Sequence, residues 1–197
     1  MAFQHLLYGH KIGNTTFKNS DIWYRGKNAI PERFTRGFAI AVKSKQEIWL
    51  IGGKWTSNKI FTFNIENHIF MELPTKLIKR RAGLRCALIP NTSKIIVTGG
   101  IFRGEIENST EIIDTEDGSV ILASPMNLKR YNHGIGLFEI NGKNRLVVFG
   151  GNDTDIFEFY NAESNTWHNT DMKLSQPKNN FGFLSVKLSE VIQKPKC

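Results

Sequence analysis

Residues 146–151 read LVVFGG, an apolar and β-branched run that ends in two glycines. The same pattern occurs twice earlier in the chain, as IWLIGG at 48–53 and IIVTGG at 95–100. The first glycines of the three pairs, Gly52, Gly99 and Gly150, are therefore 47 and 51 residues apart. Recurrence at such an interval predicts a repeat protein in which each repeat is one small supersecondary unit.

Two further markers keep the same interval. A glycine opens another apolar run before each pair, and two apolar or aromatic residues seven positions apart follow each pair, as at Tyr160 and Trp167. The opening glycines are Gly37, Gly83 and Gly134, with a fourth copy at Gly182. Each period thus holds four short runs rich in β-branched and aromatic residues, separated by turn-forming residues, and no stretch has sustained helical periodicity. We expect an all-β protein with four-stranded units at about 37–72, 83–123 and 134–169.

This order of strand, glycine pair, strand and late aromatic pair resembles the kelch repeat of β-propellers. The third unit carries the resemblance best, whereas the first two have Phe70 and Val120 in place of the last Trp. The resemblance spans about residues 20–190 and implies a kelch-type β-propeller. It makes the glycine pairs structural, since glycine lets neighbouring backbones approach closely; the pairs are Gly52, Gly53, Gly99, Gly100, Gly150 and Gly151. The late aromatic residues are expected to pack between adjacent blades.

Two arrangements of the blades are compatible with the sequence. One is a closed ring of about four blades, in which residues 3–25 and 182–188 share one blade. The other is an open arc of three full blades with partial blades at both ends, completed by further blades or by a second chain, because exposed sheet edges favour association. We divide the chain into residues 1–20, an N-terminal segment read as degenerate blade strands, residues 21–189, the kelch-like repeats, and residues 190–197, a C-terminal tail.

Bulk composition predicts a globular protein of the cytoplasm. The chain has 197 residues with 40% hydrophobic and 22% charged residues, and it lacks an apolar run long enough to cross a membrane or a secretory leader. Cys86 and Cys197 cannot form a disulfide framework. The histidines lack metal-like spacing, and nucleophile-elbow, phosphate-loop and zinc-protease motifs are missing. We therefore expect no metal, no cofactor and no catalytic residue.

Charge placement gives the main functional signal. The chain carries a formal net charge of +8, and four predicted connections between units, at 31–36, 75–81, 125–133 and 173–180, hold ten of the 26 lysines and arginines but a single acid, Glu32. All such connections emerge at one end of up-and-down sheets. We expect the partner-binding residues among them to be Arg33, Arg36, Lys79, Arg80, Arg81, Lys129 and Arg130. The loops that follow the glycine pairs are mixed in charge.

The sequence therefore predicts a non-enzymatic interaction module whose basic inter-blade loops bind an acidic peptide or protein surface. The kelch resemblance implies a role as a ubiquitin-ligase substrate adaptor or a cytoskeletal organiser. The basic loops have few interleaved aromatic residues, which argues against nucleic acid as the partner. The alternatives are a propeller-scaffold enzyme, such as an oxidase or a sugar-acting enzyme, and a structural half-propeller that completes its ring by association.

Overall fold

The computed structural model describes residues 37–54, 58–140 and 142–178. Within these ranges the chain forms fourteen strands and no helix, and so contains no helix long and apolar enough to span a membrane. The strands form three sheets of four strands and one of two, all antiparallel and none closed on itself. The all-β class is confirmed.

Each predicted unit folds as one four-stranded sheet. The first sheet comprises β1 (Phe38–Val42), β2 (Glu47–Gly52), β3 (Lys59–Asn64) and β4 (Ile69–Lys76), paired in that order. The second comprises β5 (Arg85–Leu88), β6 (Lys94–Thr98), β9 (Thr110–Asp114) and β10 (Val120–Ala123), with a short hairpin of β7 (Ile101–Phe102) and β8 (Glu105–Ile106) between its second and third strands. The third comprises β11 (Gly134–Ile140), β12 (Lys143–Phe149), β13 (Ile156–Asn161) and β14 (Thr166–Lys173).

The three sheets lie side by side through their first strands. Strand β5 contacts β1 on one side and β11 on the other. Exposed apolar side chains lie on the fourth strand of each sheet, among them Met71, Ile121 and Met172, and also on the first strands β1 and β11. The first strands of the three sheets are thus adjacent.

The second sheet is buried on both faces. One face contributes Ile95, Val97 and Ile113 to a core shared with Trp49 and Ile51 of the first sheet. Its other face contributes Ile96 to a core shared with the third sheet. This double burial explains why β6 has three consecutive apolar residues, Ile95–Val97, where a half-buried strand would alternate.

The late Tyr and Trp of the third unit pack between the second and third sheets, as predicted, whereas Phe63 and Phe70 of the first unit pack in a cluster of residues from the first unit. The rings of Tyr160 and Trp167 lie 5.1 Å apart and belong to the core between the second and third sheets. The indole Nε1 of Trp167 donates a hydrogen bond of 3.0 Å to the carbonyl oxygen of Ser124. The aromatic pair thus stabilises the interface between the second and third sheets both by packing and by a hydrogen bond.

Several sequence predictions fall on residues outside the described ranges. These are the segments 1–20 and 190–197, the partial strands near residues 22–24 and 182–188, and the side chains of Arg33 and Arg36. The choice between a four-bladed ring and an open arc also falls there.

The repeated glycines occupy backbone conformations that other residues rarely adopt. All six have positive φ angles, between 57° at Gly99 and 110° at Gly53 and Gly100. The first two pairs also lie against the loop that enters the next sheet, since Gly53 and Gly100 donate their N–H groups to the carbonyl oxygens of Arg81 and Arg130 at 3.1 and 2.8 Å. The structural role predicted for the pairs follows from these two constraints together.

We expect Gly151→Ala to destabilise the protein more than Gly142→Ala. Both glycines have positive φ, 74° and 69°, so alanine incurs a similar left-handed penalty of about 1 to 2 kcal/mol at each. A Cβ at Gly142 meets nothing within 4 Å, whereas one at Gly151 lies 2.7 Å from both His133 Cβ and the Tyr131 carbonyl oxygen. This overlap should cost roughly 1 to 3 kcal/mol more in the free energy of unfolding measured in urea. Equal losses of unfolding free energy in the two variants would contradict close packing of Gly151 against Tyr131 and His133.

Candidate functional site

One end of the three sheets gathers the long connections. Because each sheet is an up-and-down meander, the loops after its second and fourth strands leave from the same end. We call this end the loop face; its described residues are 53–54, 58, 77–84, 99–109, 124–133, 150–155 and 174–178. The opposite end carries the turns between first and second strands and between third and fourth strands.

Arg81 lies at the entrance to the second sheet and is fully buried. Its Nη1 donates to the carbonyl oxygens of Gly99 and Ser109 at 2.9 and 3.0 Å. Its Nη2 donates to Ser109 Oγ at 3.0 Å and to Glu111 Oε1 at 2.6 Å. The guanidinium thus ties the entering loop to the glycine pair and to the third strand of its own sheet.

Arg130 holds the same position in the third sheet. It is also fully buried, with Nη1 donating to the Gly150 carbonyl oxygen at 2.6 Å and Nη2 to Glu158 Oε1 at 2.8 Å. Its Nε donates to the same Glu158 oxygen at 3.1 Å, and a further Nη2 bond reaches Ile156. The second and third units therefore share the same hydrogen-bonding pattern around an arginine, in addition to the repeated sequence pattern.

The two glutamates complete the same arrangement. The carboxylate of Glu111 accepts the backbone N–H groups of Ile78 and Lys79 at 2.7 and 3.0 Å. That of Glu158 accepts those of Asn127 and Leu128 at 2.6 and 3.3 Å. In both sheets the amides lie two and three residues before the arginine. We call each set of one arginine, one glutamate and two amides a brace.

The braces correct one part of the sequence interpretation. Arg81 and Arg130 were expected to face a partner, but both side chains are 0% exposed and bonded within the chain. Burial lowers the pKa of each guanidinium, while the paired glutamate opposes the shift. The sequence contains a signal for this in the third unit, because Glu158 interrupts the otherwise largely apolar strand β13 and a buried carboxylate needs a cationic partner. Glu111 stands out less, since β9 has only two apolar residues among five. The first sheet has Phe61 at the corresponding position.

The remaining predicted cations differ in their surroundings. Lys79 is half-buried, and its Nζ forms an ion pair with Glu107 Oε2 at 2.8 Å. Arg80 and Lys129 are exposed on the loop face. These three stay on the predicted surface, but they are not gathered around one site.

A cavity of about 570 Å³ opens in the loop face where the first two sheets and the loop to the third meet. Two exposed cations that the sequence analysis left out of the site, Lys54 and Arg103, contribute to its lining. The other lining residues are mainly glycine, apolar or aromatic, namely Gly37, Gly53, Arg81, Ala82, Gly83, Ile101, Phe102, Gly104, Tyr131 and Asn132. Lys54 and Arg103 belong to the loops that follow glycine pairs. Because these loops contain both basic and acidic residues, the sequence analysis did not select them as a binding surface.

His133 lies beneath the loop face and is fully buried. Its Nε2 is 2.8 Å from Thr98 Oγ1, and its Nδ1 is buried with no hydrogen-bond partner among the described residues. Burial, followed by the positive charges of Arg85 and Arg130, holds the pKa of His133 well below its usual range. The imidazole is accordingly neutral in the folded protein at neutral pH.

Among the described residues, potential metal ligands are not clustered and the thiol of Cys86 is buried. No group of three His, Cys, Asp or Glu side chains among them could hold a metal ion. Cys86 is buried, and burial raises the pKa of its thiol to about 12, so the reactive thiolate does not form at neutral pH. Cys86 packs as a small apolar residue in the core between the first two sheets.

Comparison with known proteins adds no assignment. No protein-family model matches the chain, and no curated protein matches it in a sequence search.

Removing one member of a brace should destabilise the fold strongly. We expect Glu158→Leu to cost about 3 to 5 kcal/mol of unfolding free energy, because it leaves the Arg130 guanidinium buried without its anion. Adding Arg130→Met to the same chain should restore part of that loss, since both charges are then gone while the backbone groups that Glu158 and Arg130 bonded stay without partners. The control is Glu72→Leu, which breaks the exposed Lys59–Glu72 ion pair and should cost less than about 1 kcal/mol. A Glu158→Leu effect as small as the control's would contradict the brace.

Stability should fall with acid partly through His133. The pKa of His133 is lowered in the folded state. Below about pH 6.5 its imidazole is therefore protonated in the unfolded chain but stays neutral in the folded protein. The unfolding free energy is therefore unaffected by this group at higher pH and decreases as pH falls, by up to about 1.4 kcal/mol per pH unit. Urea titrations across this range should show a shallower slope for His133→Gln. The exposed His168→Gln is the control, and an unchanged slope in His133→Gln would overturn the assignment.

Proposed function

We propose that this chain is a protein-interaction module of kelch-like β-propeller architecture that binds an acidic peptide or acidic protein surface at its loop face. The propeller part of the proposal is supported by three sheets of equal strand order, by their adjacent first strands, and by the two equivalent braces. Glycine pairs that meet the next connecting loop fit a radial succession of blades. The described residues extend over three such units.

The cavity between the first two sheets carries the functional part of the proposal. Loops bearing binding residues on a rigid scaffold are a common arrangement for recognition, and the cavity volume lies within the usual range for ligand sites. Lys54 and Arg103 place positive charge at it, and Arg103 makes no ion pair with any described residue. An arginine fork and a lysine ammonium suit carboxylate groups.

Charge on the rest of the loop face supports the proposal less strongly than the sequence predicted. Two of its arginines are neutralised inside braces, and Lys79 is paired with Glu107. The exposed Arg80 and Lys129 still favour an acidic partner and would steer its approach. The adaptor and cytoskeletal roles, the cytoplasmic location, and the enzyme and half-propeller alternatives stay predictions, since no observation on the described residues favours one of them.

The test compares two double variants with the same loss of charge. Lys54→Ala with Arg103→Ala removes two cations at the cavity. Lys45→Ala with Lys143→Ala removes two exposed cations at the opposite end, one in the turn before β2 and one at the first residue of β12. The probe is an array of short glutamate-rich peptides, with the same peptides carrying lysine instead of glutamate as a comparison. The best binders are then measured by fluorescence anisotropy.

We expect the cavity variant to weaken binding of the glutamate-rich peptides at least about tenfold and the control to change it little, because only the first removes direct contacts. Equal losses in the two variants would mean that net charge alone attracts the peptides. That result, or failure of every glutamate-rich peptide to bind the unaltered protein, would overturn the proposed function.

A further inference from the structure

The β7–β8 hairpin lies in the second unit, in the connection after Gly100. The third sheet has only a short turn in the corresponding connection after Gly151. Ala82 and Ile101 exchange two backbone hydrogen bonds, of 2.9 and 2.7 Å, which join the hairpin to the loop entering the second sheet. The hairpin is thus a fixed wall of the cavity.

The tip of this hairpin presents one arginine on an aromatic ring. Arg103 and Gly104 have φ angles of 53° and 88°, the pair of positive values that a tight two-residue hairpin turn requires. The guanidinium carbon of Arg103 lies 5.2 Å from the centre of the Phe102 ring. Stacking on the ring limits the rotation of this side chain without using its N–H groups, which stay available to a carboxylate.

Most of the cavity wall is nevertheless not charged. Ile101, Phe102, Ala82 and Tyr131 supply apolar and aromatic surface, and the four lining glycines leave room beside it. Besides Lys54 and Arg103, the lining contains one cation, Arg81, which is already bound to Glu111. A purely ionic partner needs no recess of this kind, whereas a recess with apolar walls and cations at the opening suits a group that is apolar at one end and anionic at the other.

We propose that the cavity binds a peptide segment in which an acidic side chain lies next to a large apolar side chain. The carboxylate binds Arg103, with Lys54 adding positive charge, and the apolar side chain fills the recess against Ile101, Phe102 and Tyr131. This inference rests on the proposed function and specifies its ligand. The β7–β8 hairpin is then the element that determines specificity, because it supplies both the arginine and much of the apolar wall.

The first experiment compares three probes on the unaltered protein by fluorescence anisotropy. They are a peptide with a central Glu-Phe-Glu, the same peptide with Glu-Gly-Glu, and a single-stranded oligonucleotide of equal charge. We expect the phenylalanine peptide to bind at least about tenfold more tightly than the glycine peptide, because burial of its ring adds to the ionic contact. The oligonucleotide should compete poorly with it.

Variants then locate the two contacts. Phe102→Ala and Tyr131→Ala should each bring the affinity for the phenylalanine peptide close to that for the glycine peptide. Arg103→Lys should weaken both peptides while keeping the charge, since lysine lacks the planar fork. Ile121→Ala, which removes an exposed apolar side chain from β10, is the control and should leave both affinities unchanged. Thermal melts identify any variant that has lost its fold; Tyr131 lies outside the hairpin and tests the recess independently of it.

The outcomes separate this inference from the proposed function. Equal binding of the two peptides, both dependent on Arg103, would overturn the mixed acidic and apolar ligand and leave an acidic-peptide module. Equal competition by the oligonucleotide would overturn the inference in favour of a general polyanion site. Absence of binding by both peptides would count against the inference and the proposed function together.

Discussion

The buried brace is the interaction on which this structure depends. Each arginine links two consecutive sheets, because its backbone carbonyl accepts the N–H of the preceding glycine pair and its guanidinium donates to the glycine pair of its own sheet. The backbone carbonyl of Lys178 accepts the N–H of Gly151 in the same way, 48 residues after Arg130. The paired glutamate then fixes the loop that carries the arginine. The same arginine therefore determines how two consecutive sheets are spaced, how the glycine pairs are held and which path the connecting loop takes.

This arrangement decides which charges are left for recognition. A fully buried guanidinium bound to a carboxylate and to backbone carbonyls serves the fold, and losing either partner leaves a costly unpaired charge. Two exposed cations, Lys54 and Arg103, lie at the same cavity. Arg81 lines the cavity from within and also holds the loop to which the β7–β8 hairpin is bonded.

Regular architecture and local variation have separate roles in this chain. The repeated sheets supply a rigid support, and repeat scaffolds of many kinds carry unrelated functions in their loops. The function proposed here accordingly rests on the connection after Gly100, whose β7–β8 hairpin has no counterpart in the third sheet. The Phe102–Arg103 pair at its tip combines apolar surface with an oriented cation, and the neighbouring glycines provide space beside them.

The sequence by itself determined the all-β class, the three four-stranded units and the structural glycine pairs, because strand periodicity and glycine placement are local properties that repeat along the chain. It also placed Tyr160 and Trp167 in the packing between units. Only the tertiary structure decided that Arg81 and Arg130 are interior while Arg103 is exposed at a cavity. Their partners, Glu111 and Glu158, lie 30 and 28 residues away in sequence. Burial of a charge depends on such long-range pairing, which the composition of a loop does not reveal.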